Sequence, residues 1–208
     1  MLKEILNKYK SDKSEKHYYH TVYEPIFENY LEDITFCLLE IGIFKGNSIS
    51  AWLEYFPKAR KIIGIDIFNR IDPKDIPILK NERVTWIKGD STKSETFSKN
   101  IIKPIFDIII DDGMHTPRAN ADTFKCAMPY LKNNGIYFIE DIWPLDKMTL
   151  IEKKHKWITD VKRKDQYTDE EYQYFLNTIS GYNIEQFDLR KLSGQPDSYI
   201  FKIKFPEI

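Results

Sequence analysis

The chain has 208 residues, enough to bury a sizeable core in one domain. Its 31 Lys+Arg nearly cancel its 32 Asp+Glu, which argues against a dedicated nucleic-acid or anionic-membrane binder. The two cysteines, Cys37 and Cys126, read as buried free thiols and exclude a disulfide framework.

The opening stretch, "MLKEILNKYKSDKSEKHYY", carries no apolar core of the ~7–15 residues that a secretory signal needs. No apolar run approaches the ~20 residues that span a bilayer. A cytoplasmic protein with no membrane contact is expected. Residues 1–32 are expected to form a helical segment at the carboxyl edge of a sheet, and 33–208 an α/β core of the same single domain. Five buried strands follow: "TFCLLEIGI" (35–43), "KIIGIDIF" (61–68), "VTWIKGD" (84–90), "FDIIIDD" (106–112) and "GIYFIED" (135–141). Their spacing suits βα units and a parallel sheet. Helices are expected at 47–56 and 117–132. Thr116 caps the second, Pro117 opens it, and Asn133-Asn134-Gly135 ends it. "LDKMTLIEKKHKWITDVKR" reads as a further helix, and "TDEEYQYFLNTIS" as another with Thr168 and Glu171 at capping-box spacing. "NIEQFDLRK" and "SYIFKIKF" then read as an antiparallel strand pair, making seven strands.

Each of the five strands ends in acid: Glu40, Asp66, Asp90, Asp111-Asp112 and Glu140-Asp141. Any one of these could be a solvated cap. Five in a row point to a ligand site, because open α/β sheets bind ligands outside the carboxyl ends of their strands. The first loop, "LEIGIFKGNS", is neither G-x-G-x-x-G nor a P-loop, so the phosphate-cradling pattern is missing. A nucleoside without phosphates fits better. Glu40, Gly42, Gly46 and Ser48 are expected along it, with Asp66 on the ribose hydroxyls and Asp90 and Ser91 at a base edge. That ligand is similar to S-adenosylmethionine.

The order of these motifs resembles a class I methyltransferase, with its Rossmann-like, mostly parallel seven-stranded sheet. More closely, the chain resembles the sugar O-methyltransferases of macrolide and rhamnosyl-antibiotic pathways over roughly residues 9–145. "SDKSEKHYY" resembles that family's T-D-K…H-x-Y signature, with Ser11 in place of threonine. "SISAWLEYFPKARKIIGIDI" is similar to its linker between the first two strands. "DDGMH" resembles its D-D-G-S-H, with Met114 in place of serine, and "YFIEDIW" its acidic fifth strand.

The resemblance implies an S-adenosylmethionine-dependent O-methyltransferase with a small-molecule acceptor, a sugar or glycoside. In such a fold the fourth and fifth strands are neighbours, so Asp112, Glu140 and Asp141 can converge. A carboxylate-only set suits Mg²⁺ or another hard divalent cation, and the resemblance implies the same three as ligands. Asp111 is then expected to serve the cofactor or to support the site. His115, at the mouth of the helix from residue 117, is expected to be the general base beside Asp112. Lys13, His17 and Tyr19 match the N-terminal signature and are placed over the cofactor or acceptor, although "KSEKHYYH" alone reads as a solvated helix end. Trp143 is placed at the acceptor pocket, Trp52, Trp86 and Trp157 in the packing, and His155 on the surface. A catechol-type O-methyltransferase, a relative resembling the cephalosporin hydroxylases, and a non-catalytic nucleoside-binding scaffold are the competing readings. The sequence is compatible with a homo-oligomer and does not reveal the acceptor.

Overall fold

The computed structural model describes residues 1–206. Seven strands form one sheet in the order β3-β2-β1-β4-β5-β7-β6. They are β1 (Cys37–Ile41), β2 (Lys61–Asp66), β3 (Val84–Lys88), β4 (Phe106–Asp111), β5 (Leu131–Ile139), β6 (Asn183–Asp188) and β7 (Tyr199–Lys204). The first five are mutually parallel, and β7 runs antiparallel to both β5 and β6. This is the expected parallel half with a terminal antiparallel pair. The strand order reverses between β1 and β4, which is where a sheet of this kind opens a crevice.

The apolar strands are buried on both faces, and their side chains alternate between two cores. Leu38, Ile108, Ile110 and Phe138 meet one core, which holds Tyr23, Phe27, Trp52 and Phe56. That face carries α1 (Leu2–Lys8), α2 (His20–Phe27) and α3 (Asn47–Tyr55). Leu39, Ile109, Tyr137 and Ile139 meet the other core, with Phe124, Tyr172 and Phe175. That face carries α4 (Ser94–Ser98), α5 (Pro117–Ala127) and, further along the chain, α7 (Asp169–Ile179). Between α5 and α7 lies the single turn α6 (Lys156–Thr159), and α8 (Arg190–Ser193) joins β6 to β7. No described helix is long and apolar enough to cross a membrane.

Two expectations need correction. Helix α5 stops at Ala127 rather than 132, because Met128-Pro129-Tyr130 makes a tighter turn in which proline withholds its amide. Strand β5 therefore starts at Leu131, and Asn133-Asn134-Gly135 lie inside it beside a register shift opposite Phe106–Ile108. The stretch from 145 to 163 is not one helix. It holds a short turn at Glu152–Lys154 and then α6, which His155 starts by accepting the Trp157 amide at Nδ1, 3.2 Å away. Only Leu145, Met148 and Ile158 of this stretch reach the core, too few for an amphipathic stripe, and Leu150, Ile151 and Val161 are exposed. The caps at Thr116 and Thr168 are as expected: each hydroxyl accepts an amide, from Ala119 and Glu171.

Candidate active site

A cleft of about 920 Å³ opens at the carboxyl edge of the sheet. Gly42, Ser48, Asp66, Asp90 and Ser91 line one side of it, and Asp112, His115 and Asp141 the other. The loop after β1 needs glycine at position 42. Its φ is +95°, and a Cβ there would stand 2.1 Å from the Asp112 carbonyl oxygen. The loops after β1 and β4 thus touch backbone to backbone.

On the first side the acids are held by their own neighbourhood. Asp66 accepts the amides of Ile43 and Phe44 at 2.8 and 2.9 Å through Oδ2, and that of Phe68 at 2.7 Å through Oδ1. Asp90 accepts the amide and hydroxyl of Thr92 at 2.9 and 2.7 Å. The Ser91 hydroxyl lies 3.0 Å from that of Thr123.

On the second side the partners come from the other end of the chain. The Lys13 ammonium is buried between carboxylates. It donates to Asp112 Oδ2 at 2.6 Å and to Glu140 Oε2, and lies 3.5 Å from Glu40. Burial alone would push this ammonium's pKa down, but Asp112, Glu140 and Glu40 outweigh it and hold the pKa well above the usual lysine value. Tyr23 donates to the remaining Glu140 oxygen. Tyr19 donates to Asp141 Oδ1 at 2.6 Å and accepts the Asp141 amide at 3.0 Å. The His17 ring stacks on Tyr19, and its Nδ1 is 2.8 Å from the Ser198 hydroxyl. Burial pushes the His17 pKa down to about 4, so this ring is neutral near pH 7.

His115 Nε2 faces Asp112 and Asp141, at 3.6 and 3.9 Å. One ligand atom from each of these three residues falls within 4.8 Å of the others. His115 Nδ1 is buried and has no hydrogen-bond partner among the described residues. His115 and Asp141 both sit in the left-handed backbone region, with φ of +61° and +53°.

Four expected site residues are not on the cleft wall. Glu40 is fully buried behind it, accepting from Ser48 and Trp52 at 2.8 and 3.2 Å, and burial raises its carboxyl to about 7. Gly46 starts α3 in a left-handed conformation with Ile76 and Ile78 where a Cβ would go. Asp111 is buried against Gly113 and Tyr137, and burial raises it to about 7. Glu140 shares the Lys13 ammonium with Asp112 and accepts from Tyr23, so it adjoins the Asp112–His115–Asp141 cluster from the buried side. Burial, which outweighs the Lys13 charge, raises the Glu140 carboxyl well above its usual range.

Of the N-terminal residues, Lys13 and His17 are buried rather than solvated. Trp143 is buried on the cleft wall as expected. Trp157 also lines the cleft and, like Trp86, is partly exposed rather than core. His155 packs against Trp143, ring centroids 5.0 Å apart, instead of lying free on the surface. Tyr23, Arg163 and Tyr167 were not anticipated. Tyr23 has a weak signal, four residues before Phe27 on an apolar helical stripe; the other two lie in or just beyond the stretch misread as a helix.

A family model described as a methyltransferase domain matches residues 39–142, half of the chain. The chain is 32% identical over 136 residues to an 8-demethyl-8-(2-methoxy-alpha-L-rhamnosyl)-tetracenomycin-C 3'-O-methyltransferase of Streptomyces olivaceus, covering 61% of this chain and 33% of that protein. It is 29% identical over 136 residues to a mycinamicin VI 2''-O-methyltransferase of Micromonospora griseorubida, covering 61% and 32%. The chain thus spans about a third of the length of these curated relatives. Its fold matches the MycE methyltransferase of the mycinamycin pathway, solved with Mg, SAH and mycinamycin VI, at a TM-score of 0.68 and 22% identity. That match covers 98% of this chain and 54% of the other. On the family model, the chain belongs to the methyltransferase-domain family.

Proposed function

We propose that the chain is one catalytic unit that transfers a methyl group from S-adenosylmethionine to a hydroxyl of a sugar or glycosylated small molecule, with a divalent cation assisting. The observation that carries this reading is the division of one cleft between a loop-lined half with Asp66 and Asp90 and a half holding the Asp112–His115–Asp141 cluster. The relatives support it, being named O-methyltransferases of glycosylated natural products. MycE, with Mg and SAH, supports the cofactor and the metal. Two free cysteines agree with a reducing, cytoplasmic setting.

The donor set fits a hard cation. Mg²⁺ is commonly held by one or two carboxylates plus water and substrate oxygens. Asp112 and Asp141 are the carboxylates that face the cleft, and Glu140 adjoins Asp112 from behind through the Lys13 they share. When bound, such a cation lowers the pKa of a hydroxyl beside it. His115 takes the acceptor proton at Nε2, the ring nitrogen turned to the cluster. Asp66 holds the ribose, and Gly42 lets the cofactor approach the backbone. Tyr19 fixes Asp141 through two hydrogen bonds. The acceptor oxygen attacks the methyl carbon in line, the carbon–sulfur bond breaks, and the thioether leaves neutral. Positioning supplies most of the acceleration.

Titration calorimetry with S-adenosylmethionine, followed by transfer of labelled methyl to a panel of glycosides with Mg²⁺ or with chelator, tests the reading. Binding and Mg²⁺-dependent transfer are expected. Absence of S-adenosylmethionine binding overturns the cofactor assignment, and full transfer in excess chelator overturns the metal.

A further inference from the structure

The wall of the cleft opposite the glycine loop includes Trp143, Trp157, Arg163 and Tyr167. A chain of hydrogen bonds leads from it to His115. Trp157 Nε1 donates to the Tyr167 hydroxyl at 3.1 Å, and that hydroxyl donates to the His115 backbone carbonyl at 3.3 Å. We infer that Tyr167 is a positioning residue for His115, through which the aromatic wall reports acceptor binding to the base.

His115 needs such a hold. A left-handed backbone is costly outside glycine and persists only where the surroundings fix it. Its ring gives no anchor from behind, because Nδ1 has no partner among the described residues. Its backbone carbonyl is the point of attachment. Tyr167 is itself well anchored, being 6% exposed and packed edge-on to Trp143, ring centroids 6.3 Å apart. The Trp157 donor fills the hydroxyl's acceptor side and turns its proton towards His115. Trp157 itself is 38% exposed, with the Arg163 guanidinium stacked 3.5 Å from its ring centre. It is the link in the chain that a bound molecule can touch. A glycoside ring lodged on this wall fixes the indole, and with it the hydroxyl that holds His115. The wall then selects the acceptor and aligns the base in one event.

This inference rests on the reading of His115 as the base, but its test does not depend on turnover. The protein has four histidines, at 17, 20, 115 and 155, so histidine-labelled protein gives few signals. Carbon shifts and the amide–α-proton coupling of His115 report its φ. The wild type should show the left-handed signature. Tyr167→Phe should move it towards ordinary φ or split it into two forms, with His17 and His20 unmoved and the melting temperature retained. Trp157→Phe, which removes the first donor, should shift it less in the same direction, and it carries the test if Tyr167→Phe fails to fold. His115 signals that coincide in all the proteins that fold overturn the inference, as does a change spread equally over His17 and His20. Calorimetry with S-adenosylmethionine on the same samples separates the two questions: a wild type that does not bind it removes the proposed reaction, while the His115 conformation still decides the hold.

Discussion

The two halves of the cleft keep their acids in opposite ways. Asp66 and Asp90 accept most of their hydrogen bonds from amides and a hydroxyl in adjacent loops. Asp112, Glu140 and Asp141 depend on Lys13, Tyr19 and Tyr23, roughly a hundred residues away in sequence. The first arrangement survives as long as the loops do. The second is a buried charge cluster, whose desolvation must be offset by a complete set of partners. In the proposed reaction, binding would thus rest on acids held by local loops, and chemistry on acids held by side chains from a remote segment.

The largest expected effect comes from splitting the two functions. His115→Ala should lower the methyl-transfer rate about 10²–10⁴-fold, the usual share of a general base. Calorimetry should find S-adenosylmethionine affinity unchanged. Equal losses in both measurements would merge the halves.

Next is the remote cation. Lys13→Met leaves Asp112, Glu140 and Glu40 without a counter-charge, and breaking a buried ion pair in this way costs about 3–5 kcal/mol. Denaturant unfolding should show that loss. A wild-type midpoint would mean that water serves the acids as well as lysine does.

Asp66→Ala should weaken S-adenosylmethionine binding by about 1.5–3 kcal/mol, the range for hydrogen bonds to a charged group. Under saturating cofactor the rate should recover, in contrast to His115→Ala. A rate that stays low at saturation would mean that the Asp66 loop also sets the transfer geometry.

The smallest effect calibrates the local arrangement. Thr168→Ala removes one helix cap, seen as the hydroxyl 3.1 Å from the Glu171 amide, and should cost about 1 kcal/mol in thermal unfolding. A loss as large as that of Lys13→Met would erase the distinction between local and remote support.

The same contrast explains what the sequence disclosed. Apolar strands that end in acid, and caps at Thr116 and Thr168, are local patterns, and each was legible. Asp66 and Asp90 line the crevice at the ends of their strands. Glu40, Asp111 and Glu140 end strands too, but side chains from elsewhere in the chain cover them: Ser48 and Trp52 over Glu40, Tyr137 beside Asp111, and Lys13 and Tyr23 over Glu140. Lys13 carries no local signal of its place. Its stretch is polar, and nothing nearby shows that three carboxylates from distant strands surround it. Residues 145–163 misled for a related reason: Trp157 spends its apolar surface on the cleft, so the helical period has no stripe to follow.

Methyl transfer tolerates little error in the gap between sulfonium carbon and attacking oxygen. In the proposed reaction that gap has a mechanical gauge. The floor under the cofactor and the floor under the acceptor touch where Gly42 meets the Asp112 carbonyl, with no room for a single methyl group. One carbon added at Gly42 would act as a shim, prising the two substrates apart without altering any side chain assigned to touch either. Redesign of the acceptor wall therefore has to leave this joint as thin as it is.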